Sequence, residues 1–204
     1  MVECEESARP VAGLAADRIR CAVVEVLESD GYDALQVREV ARRARVSLAK
    51  IYKLYGTRDE LICAGLQAWM DEARYAGLDQ AAHVGAESLY PALMRVLRGI
   101  FEPWEDHPGL LVSYLRARSA PGGEKLIRRG FDAVVPAAMA VLADVDPEFV
   151  RDLDSILSSL VYGLIARVAC GEIDVSVIVP TIDRAVFRLV TGYEASRPRR
   201  PEEE

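Results

Sequence analysis

The 204-residue chain has few of the residues that most chemistry needs. Its two histidines, His83 and His107, fall in different segments. Its four cysteines, Cys4, Cys21, Cys63 and Cys170, are widely spaced and form no C-x-x-C pair, so they read as reduced thiols of a cytoplasmic protein. There is no metal-ligand spacing, glycine-rich phosphate loop or nucleophile motif, which excludes an enzyme and calls for neither metal nor cofactor. The longest uncharged apolar run, between Asp154 and Arg167, is 12 residues, short of the roughly 18–20 that a membrane helix needs. The start, MVECEESARP, is acidic and lacks the basic-then-apolar layout of a secretory signal. Lysine is the scarcest charge: only Lys50, Lys53 and Lys125.

What is present is a hydrophobic, acidic chain with one basic stretch. At 51% hydrophobic residues it can bury a core of one or two domains. Residues 37–58 carry Arg38, Arg42, Arg43, Arg45, Lys50, Lys53 and Arg58 against Glu39 alone, a net of +6 that leaves −13 on the remainder of a chain whose formal charge is −7. A basic patch on a repelling acidic body suits one local polyanion contact, not general adhesion to nucleic acid.

The patterning is helical nearly throughout, with Gly and Pro at the boundaries. Residues 1–13 and 196–204 (the latter SRPRRPEEE) read as loose tails. Ile19, Ala22, Val23, Val26 and Leu27 form the stripe of a first helix over 14–29, ended by Gly31. A short second helix fits Val37–Ala44. After the turn Arg45-Val46-Ser47, Ser47 caps a third helix over Leu48–Tyr55. Thr57-Arg58-Asp59-Glu60 has the T-x-x-E form of a capping box and starts a fourth helix that runs to about Ala82. Further helices fit 87–101, 108–119, 123–143, 147–170 and 177–195; IDVSVIVP (173–180) is β-rich but isolated.

Two short helices joined by a tight turn make a helix-turn-helix, whose second helix enters the DNA major groove. On a helical wheel Ile51 and Tyr55 face the bundle while Lys50 and Lys53 project together on the other side.

From Gly31 through Leu61 the chain resembles the DNA-binding region of the TetR family of bacterial regulators, through GYDAL, VREVARRA, VSLAKIYKLY and Thr57-Arg58 before an acidic pair and Leu61. The resemblance implies an all-α fold, with a helix-turn-helix domain over 14–58 followed by a helical ligand-binding and dimerisation domain over 59–195. It implies that Ser47, Leu48, Lys50 and Lys53 approach bases or flanking phosphates, and that Tyr52 and Arg58 meet phosphates. Three positions depart from the family pattern, one of them Ala49, which replaces a frequent Gly with little consequence. Gln36 stands where a capping Thr is usual, at a cost of about 1 kcal/mol. Arg45 stands where Gly is frequent; a left-handed backbone there would cost of order 1 kcal/mol, which a phosphate contact would offset.

The resemblance also implies that the last two helices pair with those of a second copy, through Leu153, Leu157, Leu160, Leu164, Val186 and Leu189, with Ser155, Ser158, Ser159 and Gly163 allowing close approach. The middle helices would enclose an effector, with Trp69, Trp104, Tyr114, Phe131, Met139 and Tyr162 as candidate lining. The expected function is that of a homodimeric repressor released from a palindromic operator by a hydrophobic small molecule. The alternative is a ligand-independent DNA-binding dimer controlled by a protein partner, or an activator.

Overall fold

The computed structural model describes residues 11–78 and 88–196. The expected tails, apart from residues 11–13 and 196, lie outside this range, as do Cys4, His83 and the expected end of the fourth helix near Ala82. Among the described residues the regular structure is helical, and no helix is long and apolar enough to cross a membrane.

The chain divides into two compact units. The first comprises the described residues up to Asp71 together with Gly109–Arg128. It contains α1 (Val11–Ser29), α2 (Val37–Ala44), α3 (Leu48–Tyr55), α4 (Arg58–Met70), nearly all of α6 (Pro108–Arg118) and the start of α7 (Glu124–Val141). α1 begins three residues before the expected boundary and buries the stripe read from the sequence, Ile19, Ala22, Val23, Val26 and Leu27. Leu61, Ile62 and Leu66 of α4 join it in the core, and the two helices meet closely: a Cβ at Gly65 would lie 2.5 Å from Val23 Cγ1. Gly31, at φ 82°, ends α1 in a backbone conformation that residues with a Cβ rarely adopt.

The segment Gly109–Arg128 returns from far along the sequence to this unit, where the expected boundary at 58/59 would have placed it elsewhere. Its docking is polar and close. The Glu28 carboxylate accepts from Leu110 N at 3.0 Å, satisfying one of the free N–H groups of the α6 start. Ser113 donates to Leu27 O at 3.2 Å. A Cβ at Gly109 would stand 2.6 Å from the Glu28 carbonyl oxygen, so that contact requires glycine.

The second unit holds Glu72–Pro108 and the chain from Arg129 on. After Met70 the backbone forms a π-helical turn, Asp71–Tyr75, that the helical pattern did not foretell. Then come α5 (Leu89–Phe101), a 3-10 turn at Glu102–Trp104, the rest of α7, α8 (Pro147–Ala169) and α9 (Ile178–Ser196). Arg74 is buried, donating from Nε to Ile100 O at 2.8 Å with its guanidinium 4.6 Å from the Trp104 ring centroid. Asp183 ties α9 to α5 by accepting from Tyr90 Oη at 2.6 Å and from Arg98 at 2.7 Å. Asp146 caps α8, accepting from Glu148 N at 2.7 Å with Pro147 in the first turn. The β-rich stretch 173–180 folds as a 3-10 turn, Val175–Val177, because the Asp174 carboxylate accepts from Ser176 N at 2.9 Å and leads the chain straight into α9.

Candidate nucleic-acid interface

The geometry of the reader begins at the end of α2. Val46 N donates to Ala41 O at 3.0 Å and Arg45 N to Arg42 O at 3.3 Å, the paired bonds of a Schellman turn. That turn needs a left-handed residue, and Arg45 supplies it at φ 53° and ψ 47°; among the described residues other than glycine it is the one with positive φ. Gln36, at the other end of α2, makes no side-chain capping bond. Ser47 caps α3 by accepting from Lys50 N at 3.2 Å. Ile51 is buried beneath the helix, and the Tyr55 hydroxyl is buried too, without a hydrogen-bond partner among the described groups. Burial raises the Tyr55 phenol above its ordinary range. Lys50, Tyr52, Lys53 and Leu54 are exposed, and Leu48 is half-buried.

The seven cations of the basic stretch divide into two groups. Glu39 accepts from Arg42 at 2.6 and 2.9 Å and from Arg43 at 2.8 Å. Hydrogen bonds from Arg42 and then Arg43 hold its carboxyl down at about 2. Arg43 also lies 3.9 Å from Glu25 and 3.7 Å from Asp30. Arg58 is committed as well. Its Nε donates to Leu35 O at 3.0 Å, Nη2 to Tyr32 O and Nη1 to Asp59 at 3.3 Å, while the guanidinium stands 4.8 Å from the Tyr32 ring centroid. The Tyr32 hydroxyl in turn donates to Asp59 at 2.9 Å. That leaves Arg38, Arg45, Lys50 and Lys53, all exposed and without an ion pair among the described residues. Arg38 was not among the expected contacts. The signal was there in the spacing: Glu39 pairs with the residues three and four places on, Arg42 and Arg43, and so leaves Arg38 free.

α4 starts as half of a capping box. Thr57 accepts from Glu60 N at 3.1 Å, but the Glu60 carboxylate does not return to Thr57 N. It accepts from the Thr57 hydroxyl at 3.4 Å and stands 4.0 Å from Lys125 Nζ.

The residues expected to line an effector site are dispersed between the units. Trp69 and Tyr114, both half-buried, belong to the first. In the second, Trp104 is wholly buried beneath Arg74, whereas Phe131, Met139 and Tyr162 are 62%, 53% and 58% exposed. The residues expected at a subunit interface also divide. Leu153, Leu164 and Val186 lie in the core of their own chain, while Leu157, Leu160 and Leu189 are partly open. Ile156 and Phe187 are 45% and 52% exposed beside them.

Comparison with known proteins accounts for both parts of the chain. Residues 20–64 match the model of bacterial regulatory proteins of the tetR family, and residues 86–189 match that of the tetracyclin repressor-like C-terminal domain. Among curated proteins none matches. Among solved structures, a TetR-like transcriptional regulator from Rhodococcus sp. RHA1 is 22% identical with a TM-score of 0.62, covering 92% of this chain and 100% of that one. A TetR transcription regulator from Haloarcula marismortui is 19% identical with a TM-score of 0.68, covering 88% and 97%. A tetR-family regulator from Streptomyces coelicolor is 16% identical with a TM-score of 0.63, covering 93% and 92%. The chain therefore belongs to the TetR family of bacterial regulatory proteins and is a DNA-binding transcriptional regulator, not an enzyme.

Proposed function

We propose that the protein is a homodimeric repressor that reads a palindromic operator with α3 and is released by a hydrophobic small molecule. The observation that carries the DNA reading is the two-sidedness of α3. Ile51 is buried and the helix is capped at Ser47, while Lys50, Tyr52 and Lys53 are displayed outward in an otherwise acidic chain. Lys50 and Lys53 suit guanine O6 and N7 or flanking phosphates, and Leu48 suits a thymine methyl. Tyr52 and Arg45 suit phosphates, and Ser47 keeps a hydroxyl proton for one.

Two copies place two recognition helices in successive major grooves, and operator symmetry mirrors theirs. Support for the pairing comes from α8 and α9. Ile156, Ser159, Leu160 and Gly163 follow one another at helical spacing on α8, with half-open Leu189 and exposed Phe187 on α9. Trp69, Trp104, Tyr114, Phe131, Met139 and Tyr162 remain the proposed effector contacts; the effector acts only if it binds the weakly DNA-binding form better.

The test is to select the operator by sequencing genomic DNA retained by the protein, then to measure its binding across a salt series. The Lys50→Ala/Lys53→Ala double variant is expected to lose affinity and flatten the salt dependence, by about 0.9 per lost phosphate contact. An unchanged affinity would sink the assignment. Adding candidate hydrophobic effectors to the bound complex then separates ligand-released repression from the ligand-independent alternative.

A further inference from the structure

We infer that Arg58 serves DNA reading as a positioning residue, holding the α1–α2 loop against the start of α4, and does not itself contact a phosphate. The inference rests on the DNA-reading assignment of α3. Three observations carry it. The guanidinium gives its Nε proton and one Nη2 proton to two backbone carbonyls of one short loop, Leu35 O and Tyr32 O. The third nitrogen lies on the carboxylate of its own neighbour, Asp59, which also accepts from the Tyr32 hydroxyl at 2.9 Å. One face of the guanidinium stands on the Tyr32 ring at 4.8 Å, and the side chain is only 33% exposed.

This arrangement disfavours a phosphate on two grounds. An anion approaching Arg58 meets the Asp59 carboxylate beside it, so the local field is close to neutral. Drawing the guanidinium outward leaves Leu35 O and Tyr32 O without their charged donor, a loss larger than that of an ordinary hydrogen bond. The cations without such partners, Arg38, Arg45, Lys50 and Lys53, are the ones able to take phosphates without breaking anything.

What the clamp holds is the approach to α2. Leu35 is buried and is followed by Gln36, which gives α2 no side-chain cap. The α2 start therefore lacks the usual local anchor. Arg58 provides one from across the unit, reaching 23 positions back along the chain to Leu35. α2 carries the turn into α3, so the reader inherits its placement from this knot. A planar fork with donors in fixed directions is needed; lysine, with one point charge, cannot span two carbonyls and a carboxylate.

The experiment is operator binding by full-length protein over a salt series, well below each variant's melting temperature, with Lys53→Gln as the reference for a lost contact. Arg58→Gln is expected to weaken operator binding by about tenfold or more, in keeping with the loss of charged hydrogen bonds, at an unchanged salt slope. Arg58→Lys is expected not to rescue it, and non-operator binding is expected to stay near wild type. If Arg58→Gln folds poorly, Tyr32→Ala leaves the arginine and its charge in place while removing the ring and the hydroxyl. It too is expected to weaken operator binding at constant slope. The proposal is overturned if Arg58→Gln lowers the slope as Lys53→Gln does and Arg58→Lys restores it, or if Tyr32→Ala leaves operator affinity intact. If Lys53→Gln itself has no effect, the DNA-reading assignment of α3 fails, and that result is distinct from either outcome for Arg58.

Discussion

Two residues near the reader carry a local cost. The Tyr55 hydroxyl is buried without a partner among the described groups. Removing it leaves the ring packed and deletes an unsatisfied polar atom. Tyr55→Phe is therefore expected to stabilise the fold by about 1 kcal/mol, read as a shift in the urea midpoint, with operator binding unchanged. A destabilised variant would mean that the hydroxyl has a bonding role. Arg45 holds a left-handed backbone at φ 53° that glycine would hold without steric cost. Arg45→Gly is expected to gain up to about 1 kcal/mol, part of it offset by the greater freedom of glycine in the unfolded chain. The same change removes a free cation, so DNA binding should weaken and its salt slope fall. Tighter binding would refute a phosphate role for Arg45.

At the scale of elements, α2 shows how one acid tunes a basic surface. Glu39 holds Arg42 and Arg43, and their hydrogen bonds lower its carboxyl from 4.5 to about 2. A depressed carboxyl contributes stability above its unfolded pKa and loses it as pH falls through the folded value, so this contribution disappears between about pH 4.5 and pH 2. Glu39→Gln is expected to flatten acid unfolding in that window. At neutral pH it also releases Arg42 toward DNA, while Arg43 keeps Glu25 and Asp30, so it should raise non-operator affinity and steepen the salt slope. A weaker, flatter salt response would show that Arg42 points away from DNA. The elements that the sequence made legible are those set by neighbours: Ser47 and Thr57 cap the helices they were expected to cap, and α2 and α3 have the expected limits. What was not legible depends on distant groups. Periodicity cannot foresee that the Glu28 carboxylate meets Leu110 N, 82 positions later, or that Arg58 is drawn inward by Leu35 O. The π turn at Asp71–Tyr75 follows an ordinary helical pattern and carries no local punctuation. The close seat of Gly109 offers a direct check of the long-range docking. Gly109→Ala sets a Cβ 2.6 Å from the Glu28 backbone and should lower the melting temperature, whereas Gly192→Ala, with open space around it, should not.

For the whole molecule, the acidic remainder at −13 sets a requirement. Among the described residues the basic stretch offers DNA four free cations per copy, and the repulsion of the acidic body opposes them, so specific binding gains most from engaging two copies at once. The structure separates the apolar residues of α8 and α9 into those a chain uses for itself and those left over. Leu153, Leu164 and Val186 are buried within one chain, so charging them should unfold it. Ile156 and Phe187 stay 45% and 52% exposed, although the Phe187 ring also meets Tyr90 edge-on at 5.5 Å within the chain. Ile156→Glu and Phe187→Glu together should therefore leave helicity and cooperative melting close to wild type, yet yield a monomer by light scattering. Binding to a full palindrome should then fall to the level of a half-site, while non-specific binding per chain persists. Leu164→Glu should instead lose the fold. If the Ile156/Phe187 variant stays dimeric, the copies meet elsewhere, and the exposed ridge of Phe131, Val135 and Met139 on α7 becomes the next surface to charge.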